Sequence, residues 1–130
     1  MTPEPTEVDP FDLPEVLGAG EVTWSSIDSL AGTHRVRGTL SAADGSELAC
    51  DLLAVDEAYP APVASESSRL RVHQAWRHGQ VHLASYDGRL TLLVPGTSFS
   101  ADLTLEAVAR LAKALGASPS SFAVHLRLGG

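Results

Sequence analysis

Five residues in the middle of the chain have types and spacing that suit binding of an anion or an aromatic ring: Arg69, Arg71, His73, Tyr86 and Arg89. Guanidinium groups on both sides of an aromatic ring can hold a phosphate and stack a base, and they can equally receive an acidic peptide. We predict that Arg71, Tyr86 and Arg89 form one row across neighbouring strands, with Arg69 and His73 beside it. This candidate binding surface depends on the strands that must carry it.

Two Xaa-Gly pairs, at 78–79 and 87–88, lie between β-like runs and indicate the turns of a meander. A two-residue turn of this kind needs positive φ, which glycine adopts without a Cβ clash. We therefore predict antiparallel strands over 69–77, 80–86 and 89–94. With two-residue loops, the apolar side chains share one face of the meander and the candidate binding residues share the other.

The remaining predicted strands cover residues 21–30, 33–42, 47–55 and 122–128. A turn at Asp44-Gly45 joins the second of them to the third. The run 47–55 is apolar on both faces, so we expect it to lie centrally or beneath a helix.

Residues 105–115 carry apolar side chains at helical spacing, with Thr104 as the predicted N-cap and Gly116 as the left-handed C-terminal residue. The segment 104–120 resembles the first helix and turn of bacterial helix-turn-helix repressors, which implies a second helix in the DNA major groove. Residues 121–130 alternate like a strand instead. The prediction is therefore a capped helix, a turn and a last strand.

These elements predict an α+β fold with a mainly antiparallel sheet of about seven strands, one C-terminal helix and a last strand. A partly closed barrel covered at one side is the alternative. Residues 1–20 contain closely spaced prolines and glycines and predict an acidic tail, expected to dock through Phe11, Leu13, Val16 and Leu17. Residues 21–130 predict a single domain.

Charge and composition narrow the functional class. The chain has 130 residues and a net charge of −7, and its first 34 residues hold seven acids with neither Lys nor Arg. Such a balance disfavours a nucleic-acid partner, because phosphate affinity depends on basic residues. No apolar run reaches the roughly 18–20 residues of a membrane span, and no signal peptide is evident. The single cysteine, and the use of arginine with only one lysine, favour a bacterial cytoplasm.

Metal binding and catalysis have weaker support in the sequence. His73 and His82 are predicted as diagonal neighbours on one sheet face, but two ligands do not make a site, so we predict no metal and no cofactor. No nucleophile elbow or phosphate-binding loop occurs. We interpret Cys50 as packing, and Asp51 as solvated at the end of a sheet. The sequence therefore predicts that the protein is not an enzyme.

The resulting functional prediction is a non-catalytic protein-binding or adaptor module of a bacterial cytoplasm that uses an exposed sheet face or edge. One alternative is sequence-independent binding of single-stranded nucleic acid on the Arg/Tyr face. Another is a small-molecule site inside a barrel, lined by Trp24 or Trp76. Open sheet edges are also compatible with a homodimer.

Overall fold

The computed structural model describes residues 6–9, 12, 13, 15, 17, 20–30, 34–56, 64–117 and 119–127. The elements in chain order are β1 (Thr6–Val8), β2 (Val22–Ser29), β3 (Arg35–Val36), β4 (Gly38–Ala42), β5 (Glu47–Ala49), β6 (Asp51–Ala54), α1 (Glu66–Arg77), β7 (His82–Tyr86), β8 (Arg89–Val94), α2 (Ala101–Ala114), a 3-10 turn (Pro119–Ser121) and β9 (Phe122–Arg127). The α+β class is confirmed. The predicted number of helices is wrong, because a second helix, α1, precedes the hairpin of β7 and β8.

The strands form two sheets that are mixed rather than antiparallel throughout. The five-stranded sheet has the order β1-β7-β8-β6-β3, and the four-stranded sheet has the order β5-β4-β2-β9. β6 pairs parallel to β8, and β2 pairs parallel to β9. Parallel neighbours require long crossover connections, which local turn signals do not reveal. Within the described residues the strands form open sheets and no closed barrel.

The two sheets share one bent hairpin. The predicted hairpin at Asp44-Gly45 is confirmed, since β4 and β5 pair antiparallel on either side of it, but its loop has three residues between the bonded Ala42 and Ser46, and not two. The hairpin then continues as β3 and β6, which belong to the other sheet. At the bend, the Cys50 amide donates to the Gly38 carbonyl at 3.0 Å. The predicted continuous strands 33–42 and 47–55 are therefore each divided where the chain crosses between sheets.

Only half of the predicted meander is present. The turn at 87–88 is confirmed, and β7 and β8 pair with Leu83 opposite Leu92 and Tyr86 opposite Arg89. The predicted strand 69–77 is wrong, because these residues lie in α1. Ser65 caps this helix by accepting from the Ser68 amide, and the helix ends just before Gly79, which has a φ of 74°. A glycine with positive φ suits a helix end as well as a hairpin turn.

Helix α1 covers the face of the five-stranded sheet that was predicted to be exposed. Its Val72 is buried in a small apolar cluster with sheet residues Leu53, Val55, Ala84 and Leu93. The other face of this sheet packs against the four-stranded sheet and α2. The five-stranded sheet is thus buried on both faces around its centre.

The main core lies between the two sheets and is closed by α2. Fully buried side chains from all three elements meet there, among them Trp24, Leu40, Leu92 and Leu111. No helix within the described part of the chain is long and apolar enough to cross a membrane.

Helix α2 begins earlier than the predicted residue 105. Its N-cap is Ser100, whose hydroxyl accepts from the Leu103 amide at 3.2 Å. The predicted cap, Thr104, instead lies inside the helix and donates to the Ser100 carbonyl at 2.7 Å. Gly116 has a φ of 78° just after the helix, as predicted.

Part of the predicted acidic tail forms an edge strand. β1 pairs antiparallel with β7, with Glu7 opposite Ala84. Leu17 is buried in the main core, and Leu13 packs against it. The predicted docking residues Phe11 and Val16 lie outside the described residues.

Candidate functional site

The five predicted binding residues do not form one surface. Arg69, Arg71 and His73 lie on α1, whereas Tyr86 and Arg89 flank the turn between β7 and β8. The predicted pairing of Tyr86 with Arg89 is confirmed, but the place predicted for Arg71 beside them is wrong, because a helix has replaced the strand. The neighbouring cation is instead Arg35, whose guanidinium carbon lies 5.7 Å from the centroid of the Tyr86 ring.

Arg89 is held by a buried carboxylate. Its Nε and Nη2 donate to Asp51 Oδ2 at 2.8 Å and to Asp51 Oδ1 at 3.0 Å. This hydrogen bonding raises the pKa of Arg89. This pair uses two donors of the guanidinium and offsets the positive charge that would attract a phosphate.

Asp51 itself is fully buried, so the interpretation of a solvated residue is wrong. Arg35 Nη2 also donates to it at 3.3 Å, and the Gly38 amide donates to Oδ1 at 3.2 Å. Asp51 starts β6 at the bend of the hairpin, where it links both sheets. With four hydrogen bonds from three residues to one carboxylate, this network serves to fix the bend.

The two histidines considered for a metal are also separated. His73 on α1 is hydrogen-bonded to Asp56, which in turn accepts from the Gly96 amide at 2.8 Å. His82 lies on β7, in a polar cleft of about 470 Å³ that also contains Arg71 and Glu7. Burial lowers the pKa of His82, Glu7 opposes this effect, and Arg71 reinforces it. Among the described residues no three histidines, cysteines or acids are grouped to hold a metal ion.

The only cysteine is a core residue, as predicted. Cys50 is fully buried, and its carbonyl accepts from Trp24 Nε1 at 2.9 Å. Burial raises the pKa of its thiol to about 12. The thiolate required of a nucleophile is therefore strongly disfavoured.

The outer edge of β9 is an unpaired run of main chain, among the described residues, that lies next to apolar side chains. β9 pairs with β2 on one side, and no described strand pairs with its other side. The Arg127 amide donates to Ser26 Oγ at 2.7 Å, and the Arg127 carbonyl accepts from the Leu30 amide at 2.8 Å. Because successive residues of a strand direct these groups to opposite sides, the amides and carbonyls of Val124 and Leu126 face the open side.

An apolar groove runs beside this edge, and we call it the β9 groove. It has a volume of about 200 Å³ and is lined by Leu105, Val108, Ala109, Ala112, Phe122 and Val124. Leu105 was predicted as a core residue of the helix, yet its exposed fraction is 45 %. Phe122 and Val124 are only partly buried. The core is thus incompletely covered between α2 and β9.

Comparison of the chain with protein-family models, with curated proteins and with solved structures gave no match. The functional assignment must therefore come from the geometry of the chain itself.

Sequence reasoning placed β9 correctly as a strand but did not identify its edge as a site. The alternation of Phe122, Val124 and Leu126 with Ala123, His125 and Arg127 predicts one buried face and one exposed face. It does not predict which neighbour the strand has. The sequence signal next to the groove was Leu105, which belongs to the apolar spacing of the helix and is nevertheless exposed in the structure.

Proposed function

We propose that the protein is a non-catalytic protein-binding or adaptor module that receives an extended segment of a partner as an additional strand on β9. The observation that carries this proposal is the open main-chain edge of β9 beside the apolar β9 groove. Main-chain hydrogen bonds provide affinity in this mode of recognition, and pockets for alternate side chains provide specificity.

The geometry also defines the chemistry of the partner segment. A strand added to β9 directs alternate side chains to the inner side of the sheet, next to Leu105 and Ala109 of α2. These side chains must be apolar, since the groove there is lined by aliphatic and aromatic carbon. The intervening side chains lie on the outer side, beside His125 and Arg127, and can be polar.

The surface first predicted from Arg69, Arg71, His73, Tyr86 and Arg89 has less support for the same role. Arg89 is engaged by Asp51, His73 by Asp56, and the Tyr86 ring packs against the small cluster under α1. The alternative of single-stranded nucleic acid loses its aromatic platform for the same reason. The barrel alternative lacks support because the described strands form two open sheets and Trp24 is fully buried between them.

We keep the bacterial cytoplasm as the proposed location. The single cysteine is buried and has no partner for an internal disulfide, which fits a reducing compartment.

A labelled peptide with the sequence of residues 121–127 tests the docking edge, because it has the alternate apolar side chains that the groove requires. We expect it to bind the wild-type chain, as measured by fluorescence anisotropy. Val124→Pro removes an outward amide that no described strand uses, and Leu105→Glu places a charge in the groove. Each change is expected to weaken binding about tenfold or more.

Leu70→Glu provides the matched control, because Leu70 is an exposed leucine on the other helix, with an exposed fraction of 59 %. Arg71→Ala tests the surface that was first predicted. Both controls should bind the peptide like the wild type. Equal binding by Val124→Pro and Leu105→Glu, with both variants folded by circular dichroism, would contradict docking at β9.

A further inference from the structure

We propose that the segment bound at β9 is the β9 strand of a second copy of this chain, in an antiparallel pair related by a two-fold axis. This inference rests on the proposed function of the β9 edge and names its partner. The pairing joins two four-stranded sheets into one continuous sheet of eight strands.

The sequence of β9 meets the requirement that the groove sets for its partner. Phe122, Val124 and Leu126 alternate with more exposed residues and face the inner side of the sheet. In a two-fold antiparallel pair, the same residues of the second copy face the same inner side. Each copy thus provides the apolar side chains that the groove of the other copy lacks.

Charge selects β9 among the edge strands. Two copies that each carry a net charge of −7 must associate through a surface without carboxylates. Among the edge strands, β1 and β5 carry Glu7 and Glu47, and β3 has only two residues, whereas β9 has six residues and no acid among them. When two β9 strands pair, no carboxylate of one strand therefore lies beside a carboxylate of the other.

The outward main-chain groups fix the register. Val124 and Leu126 direct their amides and carbonyls to the open side. A two-fold axis at Val124 therefore places these groups of one copy opposite the corresponding groups of the other, where they can form main-chain hydrogen bonds. Phe122 then lies opposite Leu126 of the second copy, and Ala123 lies opposite its His125. An axis at Ala123 would pair Leu126 with a serine, and an axis at His125 would pair two imidazoles.

The same axis places both α2 helices on one side of the joined sheet, next to its centre. Leu105 and Ala109 of each copy then line a shared apolar strip with their counterparts. This explains why a leucine of α2 is left with an exposed fraction of 45 %.

Light scattering coupled to gel filtration tests the dimer on the full chain. The wild type and the control Leu70→Glu should show a doubled mass as the concentration rises. Val124→Pro and Leu105→Glu should keep the mass of one chain throughout. A wild-type chain that stays monomeric at every concentration would overturn the proposed second copy.

Disulfide cross-linking tests the register. In the proposed pair the Cα atoms of Val124 and its counterpart are about 5.5 Å apart, within the range that a disulfide spans. Those of Ala123 and its counterpart are diagonal and about 8 Å apart, beyond that range. Mild oxidation should cross-link Val124→Cys and leave Ala123→Cys largely monomeric. Equal or faster cross-linking of Ala123→Cys would overturn the register.

The peptide experiment separates this inference from the proposed function. A monomeric chain that still binds the 121–127 peptide at β9 retains the docking edge and rejects the second copy. A monomeric chain that does not bind the peptide rejects both.

Discussion

The indole of Trp24 occupies the space that a side chain at residue 38 would need. A Cβ atom built on Gly38 would lie 2.4 Å from Trp24 Cζ2, far inside van der Waals contact. The same indole donates its Nε1 hydrogen to the Cys50 carbonyl at 2.9 Å, on the facing strand of the bent hairpin. Gly38 and Trp24 together allow the hairpin to cross from one sheet to the other.

Gly38→Ala is therefore expected to destabilise the fold, by about 1–3 kcal/mol, because Trp24 is fully buried and cannot move aside freely. Urea denaturation followed by tryptophan fluorescence measures the change in the free energy of unfolding. Gly20→Ala is the matched control, since its Cβ would meet only Ala43 Cβ, at 3.3 Å. A Gly38→Ala variant as stable as the control would contradict the close packing at the bend.

Asp51→Ala is expected to cost about 3 kcal/mol, because it removes a fully buried carboxylate and leaves the Gly38 amide without its acceptor. The change should appear as a lower urea midpoint. Asp87→Asn removes the charge from the 3.2 Å pair of Arg35 with an aspartate whose side chain is 68 % exposed, and it keeps a side chain that suits the φ of 56° at this turn. It should cost less than about 1 kcal/mol. Similar losses for both variants would show that burial of Asp51 contributes little.

Stability should fall as the pH decreases through the ordinary pKa of histidine. Burial lowers the pKa of His82 in the folded chain, so the unfolded chain binds more protons just below pH 6.5. Above that pH, neutral His82 makes its full contribution to the free energy of unfolding. As the pH falls, this contribution decreases until the pH reaches the lowered pKa of His82 in the folded chain. His82→Gln should flatten this part of the pH profile of the urea midpoint. A slope that persists in His82→Gln would assign it to another group.

Most of the strands and hairpins that could be predicted were predicted from turn residues and from the alternation of apolar side chains. Gly45 and Gly88 mark hairpins because a tight loop between paired strands needs positive φ, which glycine adopts most readily. Gly79 has the same conformation but ends a helix. In residues 69–77, Val72 and Trp76 fit the period of a strand as well as that of a helix, so only the cap at Ser65 distinguishes the two.

The docking edge could not be predicted, because it depends on contacts between residues that are distant in the sequence. Trp24 pairs with Val124, and this pairing makes β9 the last strand of its sheet. Burial of Asp51 arises in the same way, since Arg89 reaches it from a different strand. Local patterns identify strands and turns, but the order of strands is decided by the packing of the whole core.

Hydrogen exchange at the amides of β9 tests most directly whether its outer edge binds a strand. We predict that the Val124 amide exchanges quickly in the dilute chain, while the Arg127 amide, bonded to Ser26 Oγ, is protected. Raising the concentration or adding the 121–127 peptide should slow exchange at Val124 and leave Arg127 unchanged. A Val124 amide that exchanges at the same rate under all of these conditions would contradict docking at this edge.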